Sequence, residues 1–232
     1  MSASQSDDVS AFVIPAPPAT VPTLARAVPR NTVADTWAWM WKDTLFRLVP
    51  FALATGVYAR LSGGAGAVGL TRAAWRRDLL VGAALGVPLA GVAAGFRRWV
   101  SPGYRLPTAA DQGLQSAFYL ALNAPVEEVF WRGAVQTLAI QGVGRIPAVR
   151  RAAPTWGWLL TTAAFGAYHR LGNWSWRAIA GVTAAGGLFG GAYLATGKRR
   201  SILPAVVVHG CMTAGFLSWG DVALHLLARR RG

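Results

Sequence analysis

Acidic side chains are scarce in this chain of 232 residues: nine Asp and Glu stand against 23 Lys and Arg. Charged residues of both signs make up only 14%, against about 25% in an ordinary soluble domain. With 53% hydrophobic residues, 27 glycines and a mean hydropathy of +0.36, that deficit argues against a soluble globular protein and for a polytopic membrane protein of one domain. A single cysteine, Cys211, excludes an intrachain disulfide. Lying in an apolar run, it reads as a small packing residue rather than a nucleophile. The start of the chain has no basic segment followed by an apolar one, so no cleavable signal peptide is expected. The net charge of +14 comes without a nucleic-acid motif. Its basic residues flank the apolar runs, where loops meet anionic headgroups, so the expected partner is a lipid surface and not nucleic acid.

Residues 1–35 are polar and rich in proline (Pro15, Pro17, Pro18, Pro22, Pro29) and read as a disordered tail. Residues 36–232 form the membrane domain. Trp37, Trp39, Trp41 and Lys42 look like an interfacial anchor. Leu48–Ala59, between Arg47 and Arg60, is too short to span unaided and is expected to tilt with snorkelling arginines or to lie on the surface. The stronger spans are Leu79–Phe96, Leu114–Ile140, Trp156–Leu171, Ala178–Thr196 and Ile202–Leu227. The expectation is an all-α, polytopic transmembrane helical bundle of about six helices. Gly186 and Gly190, with Gly187 and Gly191, would admit close helix contact. Lys and Arg divide almost evenly between the two sets of loops, so charge does not orient the chain in the membrane.

The only two glutamates, Glu127 and Glu128, are adjacent and lie mid-span. An ionised acid there costs about 3 kcal/mol on insertion scales, so such residues usually face a polar cavity and act. Glu128 lies four residues before Arg132 and can pair with it on one helix face. Glu127 points about 100° away and cannot share that face. Two further spans carry His169, four residues after Phe165, and His209, four before Thr213. His225, near the C-terminal end, reads as interfacial.

The order Glu127-Glu128-x-x-x-Arg132, Phe165-x-x-x-His169, His209-x-x-x-Thr213 resembles the three motifs of the CAAX protease and bacteriocin-processing (CPBP) family of intramembrane endopeptidases. That family's pattern is E-E-x-x-x-R, F-x-x-x-H and H-x-x-x-N. The resemblance implies a glutamate-dependent hydrolase without a cofactor. Glu127 would be the base that activates a water, with His169 holding and polarising it. His209 and Thr213 would stabilise the oxyanion, and Glu128 and Arg132 would brace and tune the site. Thr213 stands where the family has Asn, and a hydroxyl donates only one hydrogen bond. The implied partner is a membrane-anchored or lipidated peptide substrate, and the expected location a bacterial cytoplasmic membrane. Three other chemistries fit these residues. Glu127, His169 and His209 could ligate zinc, although no H-E-x-x-H is present; intramembrane Glu, His and Arg also suit a proton- or ion-coupled transporter or a non-catalytic scaffold.

Overall fold

The computed structural model describes residues 30–100 and 106–229. Six long helices account for nearly all of them, the all-α bundle that the composition indicated. Helix α1 covers residues 33–61, α2 is Trp75–Val100, α3 covers 109–144, α4 is Ala153–Tyr168, α5 is Trp176–Ala195 and α6 covers 203–229. The only extended pairing among the described residues is a two-residue parallel bridge of Arg30–Asn31 with Leu106–Pro107. Most of the expected tail lies outside the described residues. Helix α1 begins at Val33, ahead of the expected boundary at residue 36. It is fixed by a capping box in which Asp35 N–H donates to Thr32 Oγ1 at 3.1 Å and Thr32 N–H donates back to the Asp35 carboxylate at 3.4 Å.

Helices α2, α5 and residues Leu203–Leu227 of α6 are long and apolar enough to cross a membrane. On α2 the large side chains Leu80, Val87 and Val92 point outward, as a lipid-facing helix requires. Its inner face is glycine. A Cβ on Gly82 would come within 2.7 Å of Val207 Cβ, and one on Gly86 within 3.1 Å of Cys211. That is why α2 packs so closely along α6, and Cys211 is indeed a packing residue. On α5 the two expected small-residue pairs separate. Gly186 and Gly190 meet Phe165 and Trp158 of α4 at Cβ distances of 2.6 Å each, whereas Gly191 faces open space.

Three helices are interrupted by π turns: Thr44–Leu48 in α1, Tyr119–Asn123 and Val129–Gln136 in α3, and Ala214–Trp219 in α6. Two of them have a visible cause. Pro50 and Pro125 each follow a π turn closely. A proline within a helix lacks the N–H and crowds the carbonyl one turn back, and widening that turn relieves the clash. The short segment expected between Arg47 and Arg60 is therefore the second half of a long helix. Arg47 does not snorkel outward: the π turn directs it into the bundle, where its side chain is 9% exposed.

The core has two parts. Trp131, Phe165, Phe189, Tyr193, Ile202, Ala205 and Val208 fill the space between α3, α4, α5 and α6. Met40, Leu48, Phe118, Tyr119 and Ala214 join α1, α3 and α6.

Candidate active site

The two adjacent carboxylates enter different environments. Glu128 is fully buried. Its Oε2 accepts from Arg132 Nε at 3.1 Å and its Oε1 accepts from His209 Nδ1 at 2.7 Å. Arg132, also fully buried, lies against the faces of Phe165 and Phe189, at 4.9 and 6.0 Å from their centroids. Cation–π attraction thus holds the guanidinium nitrogens that find no hydrogen-bond acceptor. The His209 ring stacks on Phe189 with centroids 4.4 Å apart. Glu128, Arg132 and His209 form one packed unit, and neither Glu128 nor Arg132 lines the cavity described next.

Glu127 opens into a cavity of about 70 Å³, whose walls include Arg47, Tyr119, Asn123, Tyr168, His169, His209 and Thr213. One water needs roughly 10–15 Å³ on the same measure, so the space admits several. Glu127 Oε1 pairs with Arg47 Nη1 and accepts from Asn123 Nδ2 at 3.3 Å. Arg47 is in turn held by Asp43 in a two-point contact, Nε to Oδ1 and Nη2 to Oδ2, both at 2.6 Å. A planar guanidinium can grip one carboxylate bidentately and still present its remaining nitrogen to another.

The two histidines are prepared alike. His169 follows the last residue of α4 and begins the 3₁₀ turn His169–Gly172, which Asn173 ends in the left-handed conformation at φ 57°. Its ring lies between Phe165 and Trp174, at 4.8 Å from each. His169 Nδ1 donates to the Phe165 carbonyl at 2.7 Å. His209 Nδ1 donates to the Glu128 carboxylate. Both acceptors lack a proton to give, so Nδ1 carries it, and in the neutral ring Nε2 keeps its lone pair.

Of the six site residues read from sequence, Glu127, His169, His209 and Thr213 thus share the cavity, while Glu128 and Arg132 stand behind it as the support of His209. Sequence reading missed three more. Asp43 and Arg47 come from α1, the helix whose middle was read as an interfacial segment, and Asn123 lies one turn before Glu127. The four-residue spacings Asp43-x-x-x-Arg47 and Asn123-x-x-x-Glu127 were the available signals. Arg47, Asn123 and Arg132 all lie in π turns, which occur most often at functional sites. Among the described residues, no three His, Cys, Asp or Glu side chains group as a metal-ligating set; His209 presents Nδ1 to Glu128 and Glu127 faces a guanidinium.

A polytopic α-helical bundle with two histidines and a buried glutamate around one internal cavity defines the class: an integral membrane protein with a polar site inside its helices. Residues 110–215 match the family model of the Rce1-like type II CAAX prenyl endopeptidases, a match that supports the CAAX protease (CPBP) family. The matched residues contain all six site residues read from sequence and Asn123, whereas Asp43 and Arg47 precede them. No curated protein and no solved structure matches the chain. The family is one of CAAX-type intramembrane endopeptidases.

Proposed function

We propose that the protein is a glutamate-dependent endopeptidase in which Glu127 takes the proton of a water that attacks a peptide carbonyl. The observation that carries this reading is the cavity shared by Glu127, His169, His209 and Thr213. His169, with its Nδ1 proton committed to a backbone carbonyl, presents a lone pair that orients the water. His209 and Thr213 line the same cavity as Glu127, and the Thr213 hydroxyl supplies a donor to the oxyanion, where stabilisation is worth most. The proton taken by Glu127 returns to the leaving amine, so no covalent intermediate is needed. Arg47 pairs with Glu127 and is itself held by Asp43, so the cation is shared between two carboxylates. A guanidinium in contact with the glutamate oxygen supports this metal-free reading over zinc ligation by Glu127, His169 and His209.

The substrate is a membrane-anchored or membrane-proximal peptide, cut near its attachment to the bilayer. The matched family is one of CAAX prenyl endopeptidases; in a bacterial cytoplasmic membrane, the location that the Ala-, Gly- and Arg-rich composition favours, a non-prenylated anchored peptide is the better fit. The test is cleavage of anchored reporter peptides by purified protein in detergent. Glu127→Ala is expected to abolish cleavage while the helical content and melting temperature are kept. Full cleavage by that variant overturns the mechanism. Glu127-dependent proton flux in proteoliposomes without hydrolysis would replace it with a transporter.

A further inference from the structure

Five polar residues of α3 recur at every fourth position: Asp111, Gln115, Tyr119, Asn123 and Glu127. All five are buried. On an ideal α-helix each four-residue step drifts by about 40°, so such a row would wind off to another face. The π turn Tyr119–Asn123 falls in the middle of the row and, being wider, turns it back. The row therefore runs as a file from the start of α3, one residue past the exposed Ala109 and Ala110, to the catalytic cavity that Tyr119, Asn123 and Glu127 line.

Neighbouring helices extend the file with hydroxyls. Gln115 Nε2 donates to Asp111 Oδ2 at 3.0 Å and, more distantly, to Thr36 Oγ1 at 3.5 Å; Ser218 donates to Gln115 Oε1 at 3.1 Å. Two buried polar atoms along it have no partner in the protein: Asp111 Oδ1 at the outer end and Trp39 Nε1 in the cavity wall. Burying such atoms dry is costly, whereas a water with two or more polar neighbours satisfies them. Helix-to-helix glue alone would need Gln115 and its partners but would leave these atoms unsatisfied. Hydrolysis supplies the need for a route. Each turnover consumes one water, its OH joining the carbonyl carbon and its remaining hydrogen reaching the leaving nitrogen as the C–N bond breaks, and that water must be replaced inside an apolar bundle.

We infer that the Asp111–Gln115–Tyr119–Asn123 file, with Thr36 and Ser218, is the water-supply route to Glu127. The inference rests on the hydrolytic reading above, and its test is read without substrate. Hydroxyl radicals generated from water in place modify side chains that touch water. In the full-length protein in lipid nanodiscs, Tyr119 and Trp39 are expected to be modified. Gln115→Leu, which plugs the file with an apolar side chain outside the cavity, is expected to suppress that modification and to lower kcat about tenfold with KM unchanged, because the step it slows follows substrate binding. Where Gln115→Leu fails to fold, Ser218→Ala, a smaller change at the same level, is expected to reduce both readouts in part. An unmodified Tyr119 in a wild-type protein that cuts peptide overturns the route and leaves the protease standing. Modification unchanged in both variants also overturns it. Modification that depends on Gln115 in a chain that cuts no peptide upholds the hydrated file and counts against the proposed function.

Discussion

Glu127 and Glu128 are neighbours in sequence, yet the two sides of α3 that they enter are opposites. The Glu128 side is closed: carboxylate, guanidinium and imidazole lock together, with Phe165 and Phe189 packed over them. The Glu127 side is open: its carboxylate meets Arg47 and Asn123 at the edge of a cavity large enough for several waters. One side is packed shut around its charges, and the other presents a carboxylate to a cavity. The link between them is His209, whose Nδ1 belongs to the closed side while its ring lines the cavity. A buried charge network of this kind is a poor device for stability, but it is a good one for fixing an imidazole in one orientation.

The comparison breaks most sharply if the two glutamates are made neutral in turn. Glu127→Gln is expected to lower kcat by about 10²- to 10⁴-fold, the usual worth of a general base, and to leave the thermal melt nearly in place, since Arg47 retains Asp43. Glu128→Gln is expected to act the other way round, with a large loss of stability. Deleting one member of a buried pair costs about 3–5 kcal/mol, and Arg132→Met should match it. If Glu128→Gln melts like the wild type, the closed side is not a structural brace.

Arg47 tests whether the open side depends on α1. Arg47→Lys is expected to lower kcat more than it changes KM, because an ammonium cannot hold Asp43 bidentately and reach Glu127 as well. Steady-state kinetics with one peptide reads this directly, and unchanged kcat would make the Asp43–Arg47 pair incidental. Gly190→Ala sharpens the role of packing. Its new methyl would sit 2.6 Å from Trp158 and 2.8 Å from Gln136 Oε1, and overpacking of this kind costs about 1–3 kcal/mol. Gly191→Ala, facing open space, is expected to cost nothing measurable in a thermal melt. The smallest expected effect is that of a strong chelator, which should leave cleavage unchanged; complete loss, restored by added zinc, would replace the water-activating glutamate with a metal ligand.

Much of this was legible in the sequence because it rests on local geometry. Glu128 pairs with Arg132, Phe165 packs on His169, and His209 and Thr213 line the same cavity because residues four apart on a helix are neighbours whatever the rest of the chain does. The close approach of α5 likewise follows from having no side chain at Gly186 and Gly190. The partner of Glu127 was not legible. Arg47 is eighty positions away in sequence, at the edge of a short apolar run that looked interfacial, and only the π turn ahead of Pro50 sends it inward.

By itself, then, the sequence determined that the chain is a helical membrane bundle and that its only two glutamates face different ways, since helix period and the cost of charge in lipid require both. Tertiary structure decided which of them meets the cavity with a cation in contact and which is sealed behind His209. That choice depends on how α1, α4 and α6 pack around α3, and on π turns that shift side chains by part of a turn, and neither is written in the spacing of residues along one helix.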